Sequence, residues 1–517
     1  MATTETPAAD APAAPPEPYA ELTALLREAA VLGSAMGTLG WDQETVMPPA
    51  AAELRADQLS LLSALVHERR TSPRLAELLE RCEGDAALAA DPVAAANLRE
   101  IRRQLDLATR LPTSLVRDFA ETSSRAIEAW KDARERDDFA AFAPWLERVL
   151  ELNRAKAECY GVPAGGEPYD ALLDEFEPGI TSAEVQRVFG ALRAGLAPLI
   201  ADIAGSAMRP DPRLGSVRVP AAAQETLNRT VLETIGFDFR AGRLDVSTHP
   251  FCESPGPGDT RMTTRYREDA FLDSLVSSLH EAGHGMYEQG LPKAAAFGQP
   301  IAEAASLGIH ESQSRMWENM VGRSRPFWEW ALPLAQDAFA PALAGTGVDE
   351  VFGFLNAVEP GLTRVEADEA TYNLHIMLRF DLERGMLHGD LPVRDLPGAW
   401  NERMRQDLGV EVPDDRSGCL QDIHWSMGAV GYFPTYTLGN VYAAQFWESI
   451  RAQLPDLDAQ VARGEFAGLL GWLRDNVHAH GSRFRAPELC ERITGRPLSP
   501  EPLLAYLQGK LRPLYGV

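Results

Sequence analysis

Residues 269–288 read DAFLDSLVSSLHEAGHGMYE, and their apolar side chains recur at three- and four-residue steps. That period predicts a helix packed on one face. Two histidines four apart on a helix project from the same face, so His280 and His284 are able to reach one zinc ion. Glu281 is then placed to take a proton from the attacking water. Because His-Glu-x-x-His also occurs by chance, its surroundings must support the hypothesis of a zinc hydrolase.

A catalytic zinc needs a third protein ligand and an open position. The best candidate is Glu311, which comes 27 residues after His284 in a segment that reads as helical from about 303 to 321. His310 is the competing ligand. Glu311 also has the i,i+4 spacing for an ion pair with Arg315, and the two roles of Glu311 are compatible.

Two glycines interrupt the good helix formers around the motif. Gly283 and Gly285 each cost about 1 kcal/mol of helix propensity relative to alanine. A small residue at these positions would let another backbone or a substrate approach closely. The pattern therefore indicates a crowded helix in the protein interior, where unpaired imidazoles would be costly.

Composition limits the classes of partner and compartment. The chain has 49 Lys and Arg against 75 Asp and Glu, a formal net charge of −26, which disfavours nucleic acid and anionic membranes as partners. Its five cysteines are scattered and show no paired spacing. This usage favours a reducing compartment, for which we expect the cytoplasm, and argues against a cysteine-based metal site.

The chain does not divide into obvious modules. Residues 1–17 are rich in Ala, Pro and acids and lack the features of a signal peptide, so we predict a disordered tail followed by a single helical domain over 18–517. No uninterrupted apolar stretch reaches membrane-spanning length.

Most of the chain carries apolar residues at helical spacing, notably over 18–85, 93–160 and 181–208 and again after 321. The exception is 240–266, where residues 244–248 and 260–266 alternate and are rich in β-formers. Residues 254–258 (SPGPG) have turn composition. The pattern predicts a mainly helical, all-α protein with a small β hairpin leading into the metal-binding helix.

Two arginines lie in unusual settings. Arg261 follows Asp259 on the second predicted strand, where it either binds substrate or braces the hairpin with that aspartate. Arg364 opens a segment predicted to be helical through Tyr372. With apolar Val365 beside it, Arg364 either binds a carboxylate bidentately or pairs with an internal acid.

A histidine and two tyrosines complete the candidate set. His424 lies between Asp422 and Trp425, where it either stabilises a reaction intermediate or is a satisfied core histidine. Tyr432 and Tyr436 follow in a glycine-rich stretch. A phenol directed at the metal would donate to an oxyanion, whereas aromatic core packing is the alternative.

Taken together, these motifs resemble the M32 metallocarboxypeptidases, the carboxypeptidase Taq family. The resemblance covers about residues 20–515 and rests on motifs in the family's order: Asp259-x-Arg261-x-Thr263, His280-Glu281-x-x-His284, His310-Glu311-Ser312-Gln313, Arg364-x-x-Ala367-Asp368 and Gly418-x-x-Gln421-Asp422-x-His424-Trp425. Thr363 stands where the family has isoleucine before the arginine, and this departure leaves the arginine itself in place.

The resemblance implies a helical fold with a deep groove, similar to neurolysin and angiotensin-converting enzyme, and a homodimer. It also implies a role for each matching residue. The metal ligands are His280, His284 and Glu311; the general base is Glu281; the residue that holds the substrate carboxylate is Arg364; the transition-state donors are His424 and Tyr436, with Tyr432 as second choice for the tyrosine.

The sequence thus predicts a zinc carboxypeptidase that removes single C-terminal residues from peptides with broad specificity. Co²⁺ or Mn²⁺ would also suit histidine and carboxylate ligands. One alternative is a helical zinc endo-oligopeptidase, for which Arg364 would be dispensable. The other is a non-catalytic protein with a structural zinc, in which Glu281 would have no role.

Overall fold

The computed structural model describes residues 15–517. Most of the predicted tail therefore lies outside the described residues. Its last residue, Glu17, already begins the first helix, and Pro18 lies in the first turn, where its missing N–H has no helical partner to lose.

Helices make up most of the described chain, and short 3₁₀ turns connect several of them. The helices of the first half are α1 Glu17–Thr45, α2 Ala52–Arg70, α3 Pro73–Glu83, α4 Ala86–Ala90, α5 Pro92–Arg110, α6 Thr113–Arg136, α7 Phe139–Tyr160, α8 Pro168–Leu173, α9 Ser182–Gly205 and α10 Ala221–Ile235. Those of the second half are α11 Phe271–Gly290, α12 Lys293–Ala296, α13 Leu307–Arg315, α14 Arg325–Ala338, α15 Val348–Leu355, α16 Tyr372–His388, α17 Leu396–Leu408, α18 Pro434–Gln453, α19 Leu457–Val461, α20 Ala467–Asn476, α21 Ala486–Thr494 and α22 Glu501–Tyr515.

Within the described residues the sheet has three strands, β1 Gly242–Val246, β2 Cys252–Gly256 and β3 Asp259–Thr264, in the order β1-β3-β2. The two predicted strand segments do pair, as β1 and β3, but they run parallel. The hairpin partner of β3 is β2, a stretch that its composition had marked as a turn. The predicted hairpin between these two strands was therefore wrong, although the small sheet before the metal-binding helix is confirmed.

Pro255 explains why β2 does not look like a strand. Proline lacks the N–H that a central strand needs, and it is tolerated on an edge strand or at a bulge. β2 is an edge strand, and its register shifts between Glu253 and Gly256. The reversal itself falls at Gly258, whose φ of 77° suits glycine.

One extensive core runs from α6 to the C-terminal helix, and a second, smaller cluster lies among α1, α3 and α5. Of the described helices, α9 is long and apolar enough to cross a membrane by length and composition. Its residues Val185, Leu192 and Leu199 are fully buried in the main core, as is also usual for a core helix of a globular protein.

Helix α1 is joined to the sheet through Trp41. The indole ring lies 4.7 Å from the Arg243 guanidinium and 4.5 Å from that of Arg261, which are paired residues on β1 and β3. Such contacts are worth about 0.5–2 kcal/mol each. The N-terminal helices are thereby held against the sheet that precedes α11.

Candidate metal and carboxylate site

Three side chains meet with the geometry of a metal site. The Nε2 atoms of His280 and His284 lie 3.7 Å and 3.5 Å from Oε2 of Glu311. The three donor atoms fall within 4.8 Å of one another. Ligands at about 2.0–2.2 Å from a zinc ion in tetrahedral array are separated by similar distances. The predicted ligand set is thus assembled in space, with a donor chemistry that fits zinc.

Glycines bring the ligand-bearing helices together. A Cβ built on Gly283 of α11 would lie 2.5 Å from the backbone oxygen of Gln313, and one on Gly439 of α18 would lie 2.6 Å from Cγ of Glu311. Such contacts leave no room for a methyl group. Helix α13 therefore packs closely between α11, which it contacts through its backbone, and α18, which it contacts through Glu311. The glycine pattern of α11 had indicated such a close approach on the α11 side.

The N-terminus of α13 rests on a buried carboxylate. Glu177 accepts hydrogen bonds from the Ser306 hydroxyl and the Gly308 amide, both at 2.8 Å. These contacts satisfy donors at the start of the helix that presents Glu311. Burial raises the pKa of Glu177 to about 7 despite the donors around it.

His280 is oriented by a carboxylate. Its Nδ1 lies 2.8 Å from Oε2 of Glu318, which belongs to a π-helical segment, Met316–Gly322, that continues α13. Glu318 also accepts hydrogen bonds from Arg315 and Arg323, both at 3.2 Å. A carboxylate behind a ligating imidazole fixes its tautomer and orientation.

Arg315 also pairs with the third ligand. Its Nε donates to Oε1 of Glu311 at 2.6 Å, so the predicted i,i+4 ion pair is present together with the ligand geometry. The pKa of Glu311 lies well below its usual value, because Arg315 and the two histidines outweigh the opposing effect of burial. The Glu311 carboxylate is consequently ionised and ready to bind a cation.

His310, the competing ligand, lies on the far side of His284. Its Nδ1 is 2.5 Å from Nδ1 of His284, and its Nε2 is 2.8 Å from Glu288. The competing assignment is therefore not supported, since the Nε2 face of His284 is the one that meets Glu311. Burial lowers the pKa of His284 to about 3 and keeps it in the neutral form that binds metal.

Glu281 is buried beside the metal ligands. Burial raises the pKa of its carboxyl to about 7, while the neighbouring His280 opposes the rise. A carboxylate whose pKa is near neutrality is suited to accept and return a proton.

Arg364 lies in a 3₁₀ turn, Arg364–Glu366, rather than opening the helix predicted through Tyr372; that helix, α16, begins at Tyr372 itself. Residues 367–371 are not α-helical, and they separate the turn that contains Arg364 from α16. Arg364 Nε and Nη2 contact one oxygen of Asp422 at 3.0 and 2.9 Å, so the internal-acid alternative is realised.

That pairing does not use the whole guanidinium group. Nη1 of Arg364 donates to the Tyr372 hydroxyl at 3.3 Å. An arginine has five N–H donors, and among residues 15–517 the contacts to Asp422 and Tyr372 leave donors on Nη1 and Nη2 unused. Such donors are able to bind a second carboxylate.

Asp422 is shared with a second arginine. Arg379 is fully buried and donates from Nε to the other Asp422 oxygen at 2.7 Å and from Nη2 to Gln421 at 2.7 Å. Two guanidinium groups thus face one carboxylate in the described structure, and the pKa of Asp422 is held well below its usual value against the effect of burial. The cluster carries a surplus positive charge.

His424 and the tyrosines lie beside this cluster. His424 Nε2 is 3.3 Å from the Tyr436 hydroxyl, and the Tyr432 and Tyr436 rings are 5.4 Å apart. Burial lowers the pKa of His424 to about 4, so its imidazole is neutral. Arg364 lies 5.1 Å from the Tyr436 ring. The structure therefore brings together the donors that the sequence had singled out separately.

Arg261 makes the contacts of the bracing alternative. Its Nε and Nη2 both bond Asp259 at 2.8 Å, and its guanidinium lies against Trp41. Its role in substrate binding stays a prediction that these contacts do not favour.

Sequence reasoning did not identify Glu318, Arg379 or Tyr372 as part of the site. For Glu318 a signal was available, because it is three residues after Arg315 and would share its face of a helix. Arg379 is seven residues after Tyr372, two turns along α16, and an arginine inside an apolar helix marks a buried pair.

Comparisons with known proteins agree with this site. The family model described as carboxypeptidase Taq (M32) metallopeptidase matches residues 21–511. The chain is 46% identical over 511 residues to thermostable carboxypeptidase 1 of Thermus thermophilus, covering 97% of this chain and all of that protein. It is 35% identical to carboxypeptidase 1 of Bacillus subtilis, covering 95% of this chain and 97% of the relative.

Solved structures show the same fold. The crystal structure of the M32 carboxypeptidase from Deinococcus radiodurans matches with a TM-score of 0.93 at 42% identity, covering 97% of this chain and 100% of that one. The mainly helical fold with its small sheet is thereby confirmed. The chain belongs to the carboxypeptidase Taq (M32) family and is a metal-dependent carboxypeptidase.

Proposed function

We propose that this carboxypeptidase uses zinc, held by His280, His284 and Glu311, to remove single residues from the free C-termini of peptides with broad specificity. The observation that carries the proposal is the Arg364 guanidinium group. It has unused donors in a cluster with surplus positive charge, which suits a terminal carboxylate.

The connection to the metal ligands runs through Tyr372. The Arg315 guanidinium, which pairs with Glu311, lies 4.5 Å from the Tyr372 ring, whose hydroxyl accepts from Arg364. A peptide whose carboxylate is bound at Arg364 would present its last peptide bond toward Glu311. Internal bonds would have no carboxylate to place there, which favours the exopeptidase over the endo-oligopeptidase.

The chain's own residues then divide the chemistry. Glu281 takes a proton from the attacking water and later returns one to the leaving amine. His424 and Tyr436, which contact each other, donate hydrogen bonds to the developing oxyanion, with Tyr432 as the second choice of tyrosine. A zinc ion held by the three ligands supplies a Lewis acid and lowers the pKa of water.

Mass spectrometry of a short peptide, with and without a C-terminal amide, tests this function. We expect stepwise loss of single residues from the free-acid peptide, abolished by a chelator and restored best by zinc, with Co²⁺ and Mn²⁺ as the comparison metals. Internal cleavage of both peptides would instead establish an endopeptidase and contradict the role of Arg364.

We further propose a homodimer in the cytoplasm that acts on peptides and has neither nucleic acid nor membrane as a partner. The five cysteines are all free, which suits a reducing compartment. Light scattering after size-exclusion chromatography tests the oligomeric state, and a monomer at micromolar concentration would contradict the dimer.

A further inference from the structure

The two metal-ligating histidines have different partners behind them. His280 Nδ1 meets a carboxylate, that of Glu318, at 2.8 Å. His284 Nδ1 meets another imidazole, that of His310, at 2.5 Å. An imidazole nitrogen is able to accept a hydrogen bond only if it carries no proton, so the tautomer of His310 decides the tautomer of His284.

The contacts of His310 with Glu288 and His284 indicate which ring nitrogens carry a proton. Glu288 pairs with Lys293 and therefore faces His310 as a carboxylate, which accepts hydrogen bonds. His310 Nε2, at 2.8 Å, must donate to it. The tautomer of His310 that donates from Nε2 has a lone pair on Nδ1 and accepts from His284 Nδ1, which leaves Nε2 of His284 bare and facing Glu311.

Glu288 is itself held from the other side. Lys293, whose side chain is about 10% exposed, pairs with Glu288 and donates to Oγ of Ser254 at 2.8 Å. Ser254 belongs to the edge strand β2. An unbroken series of polar contacts thus runs from a metal ligand to the sheet.

We propose that His310 is a positioning residue that fixes the tautomer and orientation of His284. In this proposal, Glu288 and Lys293 hold His310 in the tautomer that donates to Glu288 and accepts from His284. His310 is not a metal ligand in this arrangement. Partners behind a ligating histidine contribute about 10–100-fold to metal affinity or activity. The inference rests on the zinc site proposed above.

Two substitutions of one residue test the proposal. In H310N the side-chain oxygen takes the place of Nδ1 and is able to accept from His284, whereas H310L has similar bulk and no acceptor. Zinc affinity is measured by competition with a chromophoric chelator. We expect H310L to bind zinc about 10–100-fold more weakly than the parent and H310N to recover most of the loss. H67N, on the exposed surface of α2, is the control.

A spectroscopic readout separates positioning from general destabilisation. The visible absorption of cobalt-loaded protein reports ligand geometry. We expect the bands to change in H310L and to remain in H310N, with both variants unchanged in circular dichroism. Zinc affinity of H310L within twofold of the parent, or an H310N as weak as H310L with its fold intact, would overturn the role of His310.

The outer part of the series has its own test. K293M removes the cation beside Glu288 while keeping the length of the side chain, and we expect a smaller loss of zinc affinity than in H310L. A larger loss would contradict the order of the contacts. Failure of the parent itself to bind one zinc, or retention of zinc by a His284 substitution, would refute the zinc site rather than the role of His310.

Discussion

The candidate metal ligands and the candidate carboxylate-binding cluster have opposite net charge. Around the first, Arg315 and Arg323 pair with Glu311 and Glu318, and the carboxyl of Glu281 lies nearby. Around the second, two guanidinium groups meet the single carboxylate of Asp422. One region requires a cation and the other an anion to balance its charge. Under the proposed function, this difference would orient a bound peptide, because only its terminal carboxylate suits the second region.

The largest effect is expected in the metal region. Replacing Glu281 with glutamine keeps the shape of the side chain and removes the proton acceptor. We expect kcat to fall by about 10²–10⁴-fold, because that is the usual contribution of a positioned acid or base. Stopped assays on a free-acid peptide measure the rate, and metal analysis of the same sample should show an unchanged zinc content. Near-parental activity would contradict the general-base assignment.

A substitution at Arg364 breaks the other region. In R364M we expect kcat/KM on free-acid peptides to fall by about 10²–10³-fold, because a bidentate charged pair contributes about 2–5 kcal/mol. The loss should fall mainly on KM, and the preference for free-acid over amidated peptide should disappear.

R261M is the matched control for this experiment. Arg261 is also paired with an aspartate and lies against an aromatic ring, but its contacts are those of a brace. We expect R261M to lower the melting temperature and to leave the preference for free-acid peptides intact. An equal loss of preference in both variants would restore Arg261 as a substrate-binding residue.

Tyr372 lies between the two regions, and removing its hydroxyl tests whether they act together. In Y372F the ring remains against Arg315, while Arg364 loses one hydrogen-bond acceptor. We expect KM to rise about tenfold, with kcat changed much less, because a hydrogen bond to a charged group contributes about 1.5–3 kcal/mol. Steady-state kinetics on one peptide series separates the two parameters, and a loss confined to kcat would contradict this.

The smallest effect is expected from two buried carboxyl groups, Glu383 and Glu177, and it concerns stability. Glu383 bonds the Trp425 indole at 2.9 Å and the Gly431 amide at 3.3 Å and so supports the segment with His424, as Glu177 supports α13. Burial raises the pKa of Glu383 from 4.5 to about 7. The folded state therefore holds this proton more tightly than the unfolded chain does.

The sign of the pH effect follows from that shift. The contribution of Glu383 to stability is complete below its unfolded pKa and is lost as pH rises through about 7, a change of up to about 3 kcal/mol. We expect the melting temperature of the parent to fall more steeply between pH 5 and pH 8 than that of E383Q. E177Q should behave alike, and a steeper fall in either variant would contradict the raised pKa.

The sequence predicted the metal ligands better than their surroundings. Spacing on α11 determines that His280 and His284 share a face, so two ligands follow from local geometry alone. Spacing does not say which side of a ring a neighbour occupies, and His310 was therefore a plausible ligand. Glu318 was missed although its spacing from Arg315 predicts a shared helix face, because spacing within one helix does not show that this face meets His280 of another helix.

The sheet also depends on features that local sequence patterns do not predict. Alternation identified the strands that became β1 and β3, but whether they run parallel depends on the path between them. Pro255 made β2 resemble a turn, because proline is unfavourable inside most strands. It is tolerated in β2 because this strand lies at the edge of the sheet and has a shifted register. Edge position is a property of the folded sheet, and local composition does not contain it.

The glycine contacts on both sides of α13 connect metal binding to the thermal unfolding of the protein. Gly283 of α11 lies against the backbone of α13, and Gly439 of α18 lies against the Glu311 side chain, so the distance between α11 and α18 restricts the position of Glu311. Heating that leaves those helices together should leave the three ligands in register. On heating, we therefore expect the loss of the ability to bind metal and global unfolding to be one cooperative event, with no long-lived folded form that has lost that ability.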